Sequence, residues 1–324
     1  MRDPIDIQKE IAAIIARLDH WIEEWPEPLK SMSQAFAEKG YPYRTAFINN
    51  KIGFPGLYLP FWITLRYQNP IASQNLMSLR ASVYAALLGY LYIRIQDDIY
   101  DEKEGTDRSW LLVANEFIRE SFGIYHQLFP ANSEFWHYFQ QAWHDFSQAT
   151  AWEIKTCRGK MHVLQEKDLL QVGQKLAFAK VPIAAIVLLL GQEQDLPQLF
   201  KIVDLLAVSS QLINDFFSME GDLKTQHFTY PLTTTLAEKE NPPLSQPFSL
   251  FAKLLEKNSI EGLLDYIINL DEEILFLLRE DSLEWLENFL AHRITLVKEW
   301  RHLYMELKFK ALLNLDFTPA GETA

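Results

Sequence analysis

The sequence predicts an all-α fold, built as one large domain. Glycine is scarce, at 12 of 324 residues, and runs that alternate apolar and polar residues, as strands do, are hard to find. Hydrophobic residues make up 48% of the chain and aromatic residues 13%, which is ample for a large core. We predict a single helical domain over residues 1–317 and a disordered tail over residues 318–324.

Eight segments repeat apolar residues every three or four positions, the period of a helix with a buried face. In chain order they are residues 7–25, 76–100, 110–128, 135–154, 169–190, 199–219, 260–278 and 283–312. Residues 176–190 are apolar on nearly every side, as expected for a helix at the centre of a bundle. Pro182 should kink or split that helix, because proline cannot donate a backbone hydrogen bond.

Turn-forming residues separate these helices. The breaks are Gly-Phe-Pro-Gly at 53–56, Asn-Pro at 69–70, residues 130–133, and residues 241–247 with three prolines. Strongly apolar helices flank each break, so none of them resembles a linker between domains.

Charge and composition exclude several classes of protein. A formal net charge of -13 is incompatible with the basic surface that binds nucleic acid. The single cysteine, Cys157, excludes an internal disulfide and a cysteine-based metal site. The charged N-terminus has no apolar core, and the longest apolar run, 181–190, is about half of a membrane span. We therefore expect a cytoplasmic protein with no integral membrane segment and a buried, inert thiol.

The first acidic segment is YLYIRIQDDIYDE, residues 90–102. It ends in four carboxylates, those of Asp97, Asp98, Asp101 and Glu102. Like charges four positions apart repel on a helix, so helix stability alone does not explain this pattern. Asp97 and Asp101 fall on one helical face, and two oxygen donors pointing the same way suit a hard cation. The alternative is a solvated, acidic helix end.

The second polar segment is QLINDFFSMEGD, residues 211–222, at the end of another apolar helix. Asn214, Ser218 and Asp222 are spaced four apart and form one column of oxygen donors. Capping or solvent-facing roles would also fit Asn and Ser here, and Gly221 fits a plain helix stop. If the two helices are neighbours, two rows of metal ligands face each other across an apolar cavity.

These two segments resemble the metal motifs of one family. RIQDDIYDE is similar to the first aspartate-rich motif, DDxxD, of the class I isoprenoid synthases, and NDFFSMEGD is similar to their second motif in its terpene-cyclase form. Gln211 and the downstream FTYPL, residues 228–232, are similar to the surroundings of the second motif in polyprenyl synthases. The resemblance covers about residues 81–236.

The resemblance implies a class I isoprenoid synthase bundle around a central apolar cavity. It further implies an allylic isoprenoid diphosphate substrate, held by three Mg²⁺ ions between the two motifs. Since relatives are often dimers, a homodimer is also expected. The implied metal ligands are Asp97, Asp101, Glu102, Asn214, Ser218 and Asp222. The implied catalytic residues are Asp97, Asp98, Asp101, Asn214, Ser218 and Asp222.

Residues expected to bind the substrate come from the same resemblance. They are Arg94, Lys180, Gln211, Asp215 and Lys224. Lys180 is similar to the lysine of a diphosphate-binding Lys-Thr pair, although Val181 replaces the threonine. Lys175 and Arg158 are further candidates. Arg301 and Tyr304 loosely resemble a C-terminal Arg-Tyr pair of cyclases, with different spacing.

Several reactions remain open at this point. Chain-elongating relatives bind a second diphosphate through an N-terminal Gly-Lys-Arg segment and an arginine pair after the first motif. Neither is present here, and the N-terminal region offers only scattered Arg44, Lys51 and Arg66. The sequence therefore favours a terpene synthase or cyclase, with chain elongation as the alternative. Head-to-head condensation and a non-catalytic diphosphate-binding relative are further alternatives.

Overall fold

The computed structural model describes residues 5–48, 52–68, 71–101, 106–236, 259–279 and 283–312. Within these ranges the regular elements are helices. One isolated antiparallel bridge pairs Arg158 with His227, outside the helices. The predicted all-α class is therefore confirmed. The proposed tail, residues 318–324, lies outside the described residues.

The α-helices, in chain order, are α1 (Ile7–Glu23), α2 (Leu29–Ala35), α3 (Tyr43–Ile48), α4 (Leu59–Tyr67), α5 (Ser73–Tyr100), α6 (Trp110–Leu128), α7 (Phe135–Cys157), α8 (Glu166–Gly173), α9 (Lys180–Leu189), α10 (Leu196–Lys224), α11 (Tyr230–Thr235), α12 (Ser259–Leu277) and α13 (Glu284–Leu312). A π-helix, Phe36–Gly40, follows α2. Two 3₁₀-helices, Gln174–Ala179 and Glu193–Asp195, flank α9.

All eight predicted segments are helical, but the fifth is divided. Between α8 and α9 the chain forms the 3₁₀-helix Gln174–Ala179, so the break comes before Pro182. Pro182 lies in the first turn of α9, where a missing N–H costs no helical hydrogen bond. Four further helices, α2, α3, α4 and α11, were not predicted, because each is too short to show a helical period.

Two of the predicted breaks lie between helices as expected. Residues 53–56 separate α3 from α4, and residues 130–133 separate α6 from α7. The breaks at 69–70 and 241–247 fall outside the described residues.

The core of the described residues is continuous and includes side chains of both α5 and α10. α5 packs along α6 and also against α9, while α10 packs against α8, α12 and the 3₁₀-helix Gln174–Ala179. That 3₁₀-helix also contacts α5 and α7. It therefore lies where the walls formed by α5, α7 and α10 meet, and its side chains can reach all three.

Two glycines permit unusually close packing in this region. A Cβ atom on Gly89 of α5 would lie 2.2 Å from the Cε1 atom of Phe178. A Cβ atom on Gly173 would lie 2.6 Å from a Val208 methyl group and 3.1 Å from the Val208 backbone nitrogen. Glycine at these positions lets the 3₁₀-helix and α8 approach α5 and α10 closely.

Three helical stretches are long and apolar enough to cross a membrane by length and composition. They are Ser73–Tyr100, Glu166–Leu189 and Glu193–Lys224. At least 56% of each apolar window is buried inside the bundle, so these stretches also supply the protein core. The absence of a membrane segment and the cytoplasmic location stay predictions.

Candidate active site

The C-terminal parts of α5 and α10 line a shared cavity of about 320 Å³. Asp97 and Asp101 line it from α5, and Asn214, Ser218 and Asp222 line it from α10. The structure thus brings together the two rows of oxygen donors that the sequence placed on separate helices.

Cations neutralise the carboxylates of α5. One Asp97 oxygen lies 3.1 Å from Arg94 Nη1, and the other lies 3.5 Å from Lys175 Nζ. Arg94 also donates from Nη2 to the buried Asp98 carboxylate at 2.7 Å. These neighbours offset the repulsion expected from the sequence, and Asp98 lies behind the cavity wall as a partner of Arg94.

Asp101 has a different partner. Its carboxylate pairs with the guanidinium of Arg158, which also donates to the carbonyl oxygen of Tyr100 at 2.7 Å. Arg158 therefore joins the segment after α7 to the end of α5. Glu102, the remaining proposed ligand of this row, lies outside the described residues.

Next to the α10 row lies one buried carboxylate, that of Asp215, whereas Ser218 and Asp222 are half-buried. Ser218 donates its hydroxyl hydrogen to the carboxylate of Asp222. Gln211 Nε2 donates to Asp215 Oδ1 at 2.8 Å, and burial raises the pKa of Asp215 to about 7. Burial also raises the pKa of Asp222. Gln211 and Asp215 both line the cavity, together with the exposed Asn214.

A buried carboxylate on α7, which was not predicted from the sequence, contacts two residues that line the cavity. Glu153 of α7 lies 2.6 Å from Lys175 Nζ and 3.3 Å from His227 Nε2. Burial alone would raise the pKa of Glu153, but the charge of Lys175 holds that pKa below its usual value. Burial alone would lower the pKa of Lys175, but Asp97 and Glu153 raise it. Lys175 is thus a charged ammonium group in the cavity wall.

His227 is the second residue that sequence reasoning missed. It lines the cavity, and its Nδ1 atom lies 3.8 Å from Asp222. Backbone hydrogen bonds fix the segment around it: Phe228 N donates to Cys157 O at 2.7 Å, and Gly159 N donates to Gln226 O at 2.9 Å. The predicted burial of Cys157 is confirmed, and burial raises the pKa of its thiol to about 12.

Two predicted substrate-binding lysines are placed elsewhere. Lys180 Nζ lies 2.6 Å from Asp204 and 5.7 Å from the Phe200 ring centroid, outside the cavity lining. Lys224 is 63% exposed and pairs with Glu220. The 3₁₀-helix sets this outcome, because it directs Lys175 to the cavity and leaves Lys180 at the start of α9. Neither Lys180 nor Lys224 is among the residues that line the cavity, and their role in substrate binding stays a prediction.

A second, mostly apolar compartment of about 300 Å³ adjoins the first. The two compartments share six lining residues, which we call the neck: Gly53, Phe54, Tyr90, Ile93, Lys175 and Leu176. Beyond the neck the apolar compartment is lined by residues that include Phe47, Leu57, Ala86, Phe178 and Pro182. The combined space suits a ligand with a charged head and an apolar tail.

The donors at the cavity fit Mg²⁺ bound together with a ligand. Among the described residues, no three His, Cys, Asp or Glu side chains are close enough to hold a metal ion by themselves. Mg²⁺ commonly uses one or two protein carboxylates and completes its shell with water and phosphate oxygens. Carboxylate, amide and hydroxyl oxygens on two facing walls match that chemistry.

No family model matches the chain, and no curated protein matches it in sequence. Among solved structures it is similar to the heptaprenyl diphosphate synthase from Staphylococcus aureus, with a TM-score of 0.68 and 12% sequence identity. The match covers 92% of this chain and 98% of that chain. This likeness, with the helical architecture described above, shows that the chain has the all-α fold of the isoprenoid diphosphate synthases.

Proposed function

We propose that the protein is an enzyme that binds an allylic isoprenoid diphosphate and ionises it. The observation that carries this proposal is the cavity itself, where the oxygen donors of α5 and α10 meet and an apolar compartment begins. The polar part would hold the diphosphate, and the apolar part would hold the isoprenoid chain.

Three Mg²⁺ ions, when bound, would neutralise the diphosphate and stabilise the charge that develops on it as it leaves. Asp97 and Asp101 would be ligands on one wall, and Asn214, Ser218 and Asp222 on the other. Both walls must contribute, because each offers only part of a coordination shell. Glu102 remains a proposed ligand on the basis of sequence alone.

The chain's own cations would stabilise the leaving group directly. Lys175 and Arg94 line the cavity and are held by buried carboxylates, so they are oriented before a ligand arrives. Fixed positive groups aimed at a developing negative charge lower a reaction barrier without reorganisation. Lys175 thus takes the role that the sequence gave to Lys180.

Aromatic residues suit the positive half of the reaction. Tyr90 and Phe54 lie in the neck, and Phe146 lines the polar compartment. The faces of such rings attract a cation by about 0.5 to 2 kcal/mol each. They would stabilise the allylic cation next to the departing diphosphate while the apolar compartment excludes water.

Chain elongation is the reaction that we propose for this cation. The likeness to a heptaprenyl diphosphate synthase supports it over the cyclase that the sequence favoured. The apolar compartment supports elongation as well. It begins at the neck, next to the proposed diphosphate site, and could take up a growing isoprenoid chain. Ala86, which lines this compartment, lies about three helical turns from Asp97 along α5.

A terpene synthase or cyclase is the second candidate, favoured by the scarcity of cations for a second diphosphate. Arg44 pairs with Asp19, and Arg66 lies 3.6 Å from Asp195, so both side chains are engaged away from the cavity. Lys51 lies outside the described residues. The Asn-Ser-Asp column on α10 is also the terpene-cyclase form of the motif.

One assay tests the proposal and separates the two reactions. The protein is incubated with Mg²⁺ and geranyl, farnesyl or geranylgeranyl diphosphate, with and without isopentenyl diphosphate, and released diphosphate is measured. Release only with isopentenyl diphosphate supports elongation, and release without it supports a synthase or cyclase. Absence of release under both conditions, despite binding of the allylic diphosphates, would support the non-catalytic alternative.

Variants on α10 provide the matched control for that assay. Asn214→Ala should lower the release rate by about a hundredfold or more, because one wall loses a ligand. Glu220→Ala removes an exposed carboxylate from the same helix, outside the cavity lining, and should leave the rate unchanged. Equal rates in the two variants would contradict the assignment of the α10 wall.

A further inference from the structure

Behind the cavity wall lies a buried ion pair that the proposed reaction does not use. Arg293 of α13 and Asp271 of α12 have fully buried side chains. Arg293 Nε donates to Asp271 Oδ2 at 2.7 Å, and Nη2 donates to the other carboxylate oxygen. An unpaired charge at this depth would be very costly, so the two groups form a matched unit.

The remaining donors of Arg293 reach two other parts of the molecule. Nη2 donates to the Ser209 hydroxyl at 3.0 Å, and Nη1 donates to the Ser210 hydroxyl at 3.1 Å. Nη1 also donates to the carbonyl oxygen of Ile52 at 3.4 Å. All five N–H donors of the guanidinium thus have acceptors, on α10, α12 and the segment before Gly53.

Two of these contacts bear directly on the cavity. Ser210 lines the polar compartment, next to Gln211 on the α10 wall. Ile52 immediately precedes Gly53 and Phe54, two residues of the neck. One guanidinium therefore joins the metal-binding wall to the neck, although it lies outside both compartments.

We propose that Arg293, held by Asp271, is a positioning residue that sets the width of the neck by fixing Ser210 and the Ile52 carbonyl relative to each other. The proposal rests on the proposed function, since it concerns how an isoprenoid chain passes from the polar to the apolar compartment. The Arg293–Asp271 pair thereby influences how long an isoprenoid chain the protein can bind. A longer chain extends further beyond the neck and depends more on its width.

Arginine is suited to this role and lysine is not. The planar guanidinium presents its donors as a rigid fork, whereas the lysine ammonium has three donors on one nitrogen. An Arg293→Lys variant can keep the bond to Asp271, but it cannot also reach Ser210 and Ile52. The substitution preserves the buried charge pair and releases the neck.

The chain offers a matched control on the same two helices. Arg301 of α13 pairs with Asp265 of α12, with Nε 2.7 Å from the carboxylate, and neither residue lines a compartment. Arg301→Lys perturbs the contact between α12 and α13 without changing a bond to the neck. A second test variant is Ser209→Ala, outside the cavity lining. The Ser209 hydroxyl accepts from Arg293 and donates to Asp271 Oδ1 at 2.7 Å, so its removal loosens the pair that holds Ser210 and Ile52.

The experiment measures binding of geranyl and geranylgeranyl thiolodiphosphates, which resist ionisation, by calorimetry in the presence of Mg²⁺. Circular dichroism establishes that each variant is folded at the assay temperature. We expect Arg293→Lys to weaken geranylgeranyl binding about tenfold more than geranyl binding. Ser209→Ala should shift the ratio of the two dissociation constants in the same direction, and Arg301→Lys should leave it at the wild-type value.

Failure of this inference is distinct from failure of the proposed function. If the wild-type protein binds both probes and the ratio is unchanged in Arg293→Lys and Ser209→Ala, the positioning role is wrong and the function stands. If Arg293→Lys does not fold, the ratio measured in Ser209→Ala decides. If the wild-type protein binds neither probe, the proposed function itself is contradicted.

Discussion

At the scale of single residues, the cavity already holds paired charges. Asp97 lies between Arg94 and Lys175, so a metal ion approaching this carboxylate competes with two cations already present. A diphosphate removes that competition, because its oxygens give Arg94 and Lys175 new partners. Metal and diphosphate are therefore expected to bind together, each improving the site for the other.

The sequence predicted local relations between residues better than distant ones. The one-turn spacing of Asp97 and Asp101 depends only on helical geometry, and both residues line the cavity. The sequence did not show which of Lys175 and Lys180 faces the cavity, because the directions of both side chains depend on a 3₁₀-helix that the apolar pattern does not reveal. Glu153 was missed because its partners come from distant parts of the chain, although a lone Glu on the apolar face of α7 was a usable signal.

Glu153 supplies a pH-dependent prediction. Its pKa in the folded protein is below the ordinary value of 4.5, so it stabilises the fold above that pH. As the pH falls below 4.5, Glu153 takes up a proton and this contribution is lost. At neutral pH, Glu153→Gln should lower the free energy of unfolding by about 3 kcal/mol, since Lys175 and His227 lose a buried partner.

Urea unfolding of the wild type and of Glu153→Gln at a series of pH values measures this effect. The difference between the two proteins should shrink as the pH falls below 4.5. Glu220→Gln, which changes an exposed carboxylate, should follow the wild type throughout. A difference that stays constant with pH would show that Glu153 does not stabilise the fold through its charge.

At the scale of whole helices, close contacts shape the apolar compartment. α5 can approach the 3₁₀-helix because Gly89 has no side chain, and Phe178 fills the space beside it. Phe178 also packs against Trp143, with ring centroids 4.9 Å apart, and lines the apolar compartment. A larger residue at position 89 would displace this ring, which forms part of the compartment wall.

Gly89→Ala tests the link between packing and chain length. The added Cβ would lie 2.2 Å from Phe178 Cε1, so the ring must move, with a loss of stability of about 1 to 3 kcal/mol. Displacement of the ring into the compartment should shorten the products, as measured by mass spectrometry. Gly123→Ala is the control, because a Cβ there meets no atom within 4 Å, and it should gain about 1 kcal/mol in helix stability. Unchanged product lengths in Gly89→Ala would remove Phe178 from this role.

Long helices were readable from the sequence, and short ones were not. The predicted segment 110–128 coincides with α6, and the periodicity of residues 199–219 identified most of α10. α3 and α4 were missed, although Gly53 and Phe54 between them belong to the neck. Short helices depend on packing against the rest of the molecule, which a single segment does not encode.

At the scale of the whole molecule, the fold brings distant parts of the chain to one cavity. The antiparallel bridge between Arg158 and His227 links the segment after α7 to the segment after α10. Arg158 then reaches Asp101, and His227 approaches Asp222, so one bridge connects the α5 and α10 walls of the cavity. The predicted homodimer and the single-domain boundaries stay predictions.

Calorimetric titration with Mg²⁺, in the presence and absence of inorganic diphosphate, is the most direct test that α5 and α10 form one metal and diphosphate site. We predict weak Mg²⁺ binding to the protein alone, tight binding once diphosphate is present, and loss of the tight phase in both Asp97→Ala and Asn214→Ala. Tight Mg²⁺ binding without diphosphate, or an unchanged tight phase in the two variants, would contradict the account.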